Sequence, residues 1–490
     1  MFGTENTPHS RPAWDFRERY AEWSSRLRKE RKEKETHDDE AARAARAALQ
    51  KDALSRLMER RRLLVEWGTG TGKSRVGVLA ADVLLREGRE RILLLVAEDA
   101  HKENWRREFV DVLGCERGEA VFAATTVECY HSLHNYEGTK WDFVIADEAH
   151  HLRSPLRMRL VRSLRSDYVL CLSATLSDKG DGEDLLRTLK ETFGSFDSMD
   201  FSTQDSIDSG IIPDPVIMVH VLPLEGISHE QHVDITWGGA AGRKEYYCDI
   251  DAYRRLVKNG GRKGNALIHL RASAQEAYDA VEEEMAALKH SVKDAEAKAA
   301  EGESVDYWMK RREALLNRMV NLGGRRKQLL GESKTVFVGN LLRAMGKTRY
   351  ICFCANVDQG EALGGEFAVS ARNTRRENGE VIMGFNKGNH DQLFAVGMLR
   401  EGQNLTGIQA GVIVQLGDKE RAFVQEFGRV LRAEKPVQHI VVINNTKDVD
   451  FFFSSLESVH PAYIKVRYYG MNKSEDKSQT SLNKFAFRRR

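Results

Sequence analysis

The feature that most constrains this 490-residue chain is an apolar run that breaks into alternating glycines and then into a helix-forming stretch. Leu63-Leu64-Val65-Glu66 reads as a buried strand, residues 68–72 as a turn without bulky side chains, and Lys73 as the head of a helix. Small residues let successive backbone N–H groups close around an anion, and a helix N-terminus adds a favourable dipole. A lysine there reaches the β- and γ-phosphates of a nucleotide, and the hydroxyl beside it ligates Mg²⁺. The pattern assigns ATP binding to Gly68, Thr69, Gly70, Thr71, Gly72, Lys73 and Ser74, with Trp67 standing where the first glycine is usual. A second Gly-Lys-Thr at 346–348 lies after a predicted helix and before a predicted strand. That order aims no helix N-terminus at a phosphate, so it is set aside.

The flanking rhythm fits a nucleotide-binding fold. Ile92–Ala97, Val121–Ala123, Phe143–Ala146 and Tyr168–Leu172 read as further strands separated by helical stretches, the pattern of a parallel sheet covered by helices. The run at 143–146 ends in Asp147-Glu148-Ala149-His150, and an acid at the carboxyl end of such a strand emerges beside the phosphate loop. Asp147 is placed to hold Mg²⁺ together with Ser74, and Glu148 to orient the attacking water. A second rhythm fills roughly 333–460, with strands at Tyr350–Ala355, Leu393–Val396, Gly411–Leu416 and His439–Asn444.

Between the two rhythms the period changes. Tyr278, Val281, Met285, Leu288, Val292 and Ala295 recur at spacings of three and four, and Val305, Trp308, Leu315, Met319 and Leu322 resume the stripe after Gly302, with Arg312 breaking the seam. Two helices folded back on each other would bury both stripes. The expected domains are a charged N-terminal extension at 1–36, a first α/β domain at 37–205, a linker and helical hairpin at 206–332, a second α/β domain at 333–465, and a basic tail at 466–490. The extension reads as a solvated helix or disordered lead-in.

Composition adds exclusions more than assignments. With 75 basic and 73 acidic residues the net charge is +2, so any nucleic-acid track must be local. The six cysteines form no C-x-x-C pair and read as buried small side chains in a reducing compartment. No apolar run approaches a membrane span or signal peptide, which implies a cytosolic protein with no membrane partner.

The residues carry a family resemblance. The phosphate loop followed by Asp147-Glu148-Ala149-His150 resembles the superfamily 2 helicases and translocases, and further motifs follow in the family's order over about 45–460. Ser173-Ala174-Thr175 resembles the third motif, which with His150 and Gly402 implies coupling of ATP state to domain closure. Gly402-Gln403-Asn404-Leu405-Thr406 looks like the fifth. Gln425-Glu426-Phe427-Gly428-Arg429-Val430-Leu431-Arg432 matches the sixth, and Gln50 sits where the family often keeps an adenine-reading glutamine. The resemblance implies two RecA-like parallel-sheet domains in tandem with the helical hairpin inserted between them. It implies ATP and Mg²⁺ as cofactors and places Gln425, Arg429 and Arg432 across the nucleotide from Lys73, Asp147 and Glu148. It also implies nucleic-acid contacts at Lys102, Trp105, Tyr130, Asn404 and Thr406, with Trp105 read first as a core-facing helix residue.

Gly-Arg-Val-Leu-Arg in the sixth motif is closer to repair helicases and restriction-type translocases than to RNA helicases. Lys334-Thr335-Val336-Phe337-Val338 resembles the second-domain entry of Swi/Snf-like motors. Double-stranded DNA is therefore the expected track, with a protein partner at the hairpin or termini as a further expectation. Glu98-Asp99 depart from the proline that usually leaves this strand, and two acids oppose a phosphate contact there. The alternatives are an RNA helicase and an ATP-switched binding module with little turnover.

Overall fold

The computed structural model describes residues 15–28, 39–68, 70–174, 185–224, 233–237, 242–259, 265–302, 304–397, 405–417, 420–431, 433, 435–456 and 459–470. Six strands form the first sheet: β1 (Arg62–Trp67), β2 (Ile92–Val96), β3 (Thr125–Cys129), β4 (Phe143–Ala146), β5 (Tyr168–Ser173) and β6 (Asp197–Phe201). Their order is β3-β2-β4-β5-β1-β6, and every pairing is parallel. Every residue of β2, β4 and β5 is buried, as expected when helices cover both faces of a parallel sheet. The apolar triplet at 121–123 is not a strand. It ends the helix Cys115–Ala123, and the strand begins two residues later, where Thr125, Thr126 and Val127 supply β-branched side chains. Three apolar residues cannot by periodicity be told from a helix end.

The second sheet draws β7 from Val216–Leu222, then β11 (Tyr350–Phe353), β12 (Ala368–Val369), β13 (Gln392–Ala395), β14 (Ala410–Ile413), β15 (Val437–Ile443) and β16 (Ile464–Tyr468). Its seven strands are all parallel, in the order β12-β13-β11-β14-β15-β7-β16. Two expected boundaries change as a result. β7 lies between β15 and β16, so the second sheet begins well before 333 and the insertion interrupts the second lobe instead of separating the two lobes. β16 runs through Tyr468, so no tail starts at 466.

The insertion holds more than helices. β8 (Val233–Trp237), β9 (Lys244–Asp249) and β10 (Ala266–Arg271) form a sheet in the order β8-β10-β9, antiparallel on one side and parallel on the other. The helices Ala274–Ala300 and Val305–Ser333 pack along each other, with ion pairs Arg312–Glu296, Arg318–Glu284 and Arg326–Glu282 running in opposite chain directions. All six stripe residues of the first helix are buried. In the second, Leu315 and Leu322 are buried but Val305 is exposed.

The N-terminal segment departs most from expectation. The helix Phe16–Arg28 is docked on the second lobe, with Phe16 fully buried against Phe452, Phe453 and Tyr468 and Trp23 against Phe453. The Phe16 backbone N–H donates to Asn444 Oδ1 at 2.7 Å, and Arg19 pairs with Asp450 at 2.5 Å. Its charged residues hid two buried aromatics seven positions apart, two helical turns. The next helix, Asp39–Arg60, packs instead on the first lobe, burying Ala53 and Leu57. Gly346-Lys347-Thr348 follows the helix Thr335–Met345 and leads into β11.

Candidate nucleotide site

The phosphate loop leaves β1 at the carboxyl end of the first sheet and enters the helix Lys73–Arg86. Gly70 and Gly72 both adopt left-handed backbone, φ +87° and +86°, a conformation that only glycine takes without strain. Gly68 is required for a different reason: a Cβ there would lie 2.8 Å from the Thr203 backbone. Its N–H donates to Phe201 O at 2.7 Å, and Thr71 Oγ1 donates back to Gly68 O at 2.8 Å. The Lys73 ammonium lies within the loop, 2.8 Å from Trp67 O and 3.3 Å from Gly68 O. Thr69 lies outside the described residues.

Asp147 emerges from β4, two strands from β1 in the sheet. Its carboxylate accepts from the Trp105 indole N–H at 2.8 Å and from the Glu148 N–H at 3.0 Å, while its carbonyl accepts the Tyr130 hydroxyl at 2.7 Å. Burial and then the adjoining Glu148 charge push this carboxyl well above the ordinary aspartate range; Trp105 and Lys73 pull it back. A divalent cation would relieve both causes, so the donor set fits Mg²⁺. Asp147 and Ser74 would supply two protein ligands, and Mg²⁺ typically takes one or two carboxylates and completes its shell with phosphate oxygens and water. Among the described residues no group of three or more His, Cys, Asp or Glu forms a metal cage. Glu148 sits at φ +48°, an uncommon backbone for a non-glycine residue, and its carboxylate approaches His150 Nδ1 at 3.3 Å.

Two residues assigned to nucleic acid are corrected here. Trp105 is 3% exposed and Tyr130 2% exposed, and both rings hold Asp147 from inside the core. Neither offers a face to a base. Lys102 is reached by Asp99 at 3.4 Å and Glu128 at 3.6 Å, so a phosphate would compete with two carboxylates for it. Thr406 is exposed, and its N–H donates to Asn386 Oδ1 at 3.1 Å. Asn404, Gly402, Thr175 and Arg432 lie outside the described residues.

Gln50 reaches the loop from the helix Asp39–Arg60. Its amide nitrogen donates to Thr71 O at 3.1 Å and Gly72 O at 3.4 Å, so this group supports the loop. One turn earlier on the same helix, Arg46 was missed by the sequence reading. Its guanidinium donates to Ile211 O at 2.8 Å, its Nε is buried without a partner, and its stem flanks Gly72. Burial and then the Arg75 charge lower its pKa. The i, i+4 spacing to Gln50 was the available signal. In the second lobe, Gln425 and Arg429 lie on the helix Glu420–Val430 that follows β14. Ser173 ends β5, and Ala174 shares one apolar cluster with Leu405, Phe423 and Phe427, so this residue of the first lobe touches the core of the second.

The two parallel-sheet lobes have the fold of the tandem RecA-like domains of helicases. Residues 31–178 match the family model for the type III restriction enzyme, res subunit. Among solved structures, S. cerevisiae Dbp5, a point variant bound to RNA and ADP BeF3, superposes with a TM-score of 0.50 at 12% identity, over 86% of this chain and 89% of that one. The Pyrococcus furiosus Hef helicase domain gives 0.42 at 12%, over 84% and 97%. The ATP-dependent Type ISP restriction-modification enzyme LlaBIII bound to DNA gives 0.49 at 13%, over 90% of this chain but 32% of that longer one. No curated protein sequence matches. Among the described residues, no helix is long and apolar enough to cross a membrane.

Proposed function

We propose that the chain is a DNA-dependent ATPase that converts closure of its two lobes into movement along, or remodelling of, duplex DNA. The observation that carries this reading is the site at the carboxyl end of the first sheet: a left-handed glycine loop around Lys73 and a buried Asp147 carboxylate locked by Trp105, with a second parallel-sheet lobe packed alongside. Lys73 and the loop N–H groups hold the phosphates, Ser74 and Asp147 hold Mg²⁺, and Glu148 orients the attacking water. Bound Mg²⁺ supplies charge neutralisation on the β- and γ-phosphates. Arg429 and Arg432 bring positive charge from the second lobe as negative charge builds on the γ-phosphate, with Gln425 beside them. Hydrolysis then depends on closure, and Ser173-Ala174-Thr175, His150 and Gly402 transmit it. Arg46 and Gln50 border the loop, with Gln50 as the proposed reader of the adenine.

Contacts to the track fall to Asn404 and Thr406, and to Lys102 where a phosphate displaces its Asp99 and Glu128 partners; they meet phosphates and not bases, as a motor indifferent to sequence requires. Duplex DNA is favoured over RNA by Gly428-Arg429-Val430-Leu431-Arg432 and by the restriction-enzyme family model over 31–178. The test is Lys73→Ala. ATP turnover should vanish while circular dichroism and melting stay at parental values, and unchanged turnover would overturn the assignment.

A further inference from the structure

The two long helices of the insertion are rooted on the carboxyl edge of the second sheet, the edge from which the arginine-bearing helix departs. At the junction of Val305–Ser333 with the next helix lies Lys334, fully buried. Its ammonium has three N–H groups, and the structure supplies three acceptors: Asp448 Oδ2 at 2.6 Å, Val414 O at 2.8 Å and Gln415 Oε1 at 3.0 Å. Gln415 in turn donates to Asp448 Oδ1 at 2.6 Å. Asp448 also accepts the Ile443 N–H at 3.1 Å.

Every member of this triad therefore has a partner, and each belongs to a different element: the arm's base, the segment leaving β14, and the helix Lys447–Ser455. The other arm helix reaches the same place, because the Tyr278 hydroxyl accepts the Lys447 N–H at 2.8 Å. Just before Lys334 the fit is tight: a Cβ on Gly331 would lie 2.2 Å from Ala355 Cβ and 3.9 Å from Gln415 Cβ. Gln415 lies five residues before the helix Glu420–Val430, which carries Arg429. That helix shares an apolar cluster with Lys447–Ser455 through Phe423, Phe427, Phe451 and Phe452.

We propose that Lys334, Gln415 and Asp448 are positioning residues through which the arm sets where the Arg429 helix stands, so that load on the arm is felt as a change in ATP turnover. A bare apolar plug would stabilise this joint as well as a buried ion pair does. The ion pair instead fixes the register of three elements by directed bonds. The inference rests on the ATPase reading above, since Arg429 matters only if ATP is hydrolysed.

The test is a double-mutant cycle in the full chain, combining Lys334→Met/Asp448→Asn, which removes both charges at near-constant shape, with Arg429→Ala. Gln415→Ala, which leaves the ion pair in place, is run through the same cycle. Each is assayed well below its melting temperature, with a fluorescent ATP analogue reporting the intact first lobe. Expected are analogue affinity within about twofold of the parent, kcat lowered at least tenfold, and a loss from Arg429→Ala at least tenfold smaller in the variant backgrounds than in the parent. A purely structural role would lower the melting temperature and leave kcat per folded molecule unchanged. That result, or additive losses in the cycle, would overturn the inference alone. A parent chain without turnover on any nucleic acid would remove the ATPase reading and this inference together.

Discussion

Trp105→Phe is the substitution that separates an internal brace for the metal carboxylate from a nucleic-acid contact. The indole N–H donates to Asp147 Oδ2 at 2.8 Å, and Phe keeps an aromatic ring in the core while removing the donor and the outer ring atoms that lie against Gly77. A hydrogen bond to a charged acceptor contributes about 1.5–3 kcal/mol. At about 1.4 kcal/mol per factor of ten, its loss should reduce turnover roughly 10- to 150-fold if the bond is needed in the transition state. Because Asp147 is already held high by burial and by Glu148, losing the donor leaves its carboxylate less able to receive a cation. The Mg²⁺ concentration for half-maximal activity should therefore rise. The assay is steady-state ATPase with saturating nucleic acid over a Mg²⁺ titration, alongside DNA affinity in the absence of nucleotide. Unchanged DNA affinity with raised Mg²⁺ demand is the expected pair. Turnover and Mg²⁺ dependence within twofold of the parent would refute the brace, and a selective loss of DNA binding would restore the ring to the track.

Three further outcomes follow from packing and burial. Phe16→Ala empties a fully buried ring site on the second lobe and should cost about 3–5 kcal/mol, read as a lowered unfolding midpoint; a solvated N-terminal helix would show no change. Gly68→Ala sets a Cβ 2.8 Å from the Thr203 backbone, an overpacking cost of about 1–3 kcal/mol, and should abolish binding of an ATP analogue; retained binding would contradict the loop geometry. Burial, followed by His439 and Arg467, pulls His220 down to about 3, and burial with Arg467 pulls His439 down to about 4, both from an ordinary value near 6.5. Below pH 6.5 the unfolded chain takes up protons that these folded rings refuse. Stability from the pair is thus intact above pH 6.5 and falls by up to about 1.4 kcal/mol per pH unit for each ring down to its folded value. Urea midpoints between pH 8 and pH 5 check this, and a flat profile would contradict it.

The first sheet and its site were legible because their signals are local. A buried strand, three alternating glycines and a lysine occupy twelve residues, and the strand Phe143–Ala146 runs straight into its carboxylates. What stayed hidden depended on distant pairing. β7 is an apolar run at 216–222 whose partners, β15 and β16, come more than two hundred residues later. Strands β8, β9 and β10 are short and half-exposed, so their apolar alternation is weak. Phe16 and Trp23 were masked by the charges around them, and Arg46 by the absence of any motif for a guanidinium that borders a loop. Trp105 and Tyr130 show a different limit: the family resemblance set both among nucleic-acid contacts, although Trp105 also read as core-facing, and only burial shows that both rings turn inward.

The central claim is that the chain hydrolyses ATP when it grips nucleic acid, with duplex DNA as its track. The most direct measurement is the ATPase rate of the purified chain with duplex DNA, single-stranded DNA and RNA side by side, at matched nucleotide and salt. The account predicts the largest stimulation with duplex DNA. Preferential stimulation by RNA would move the track, and no hydrolysis with any of the three would contradict the motor reading outright.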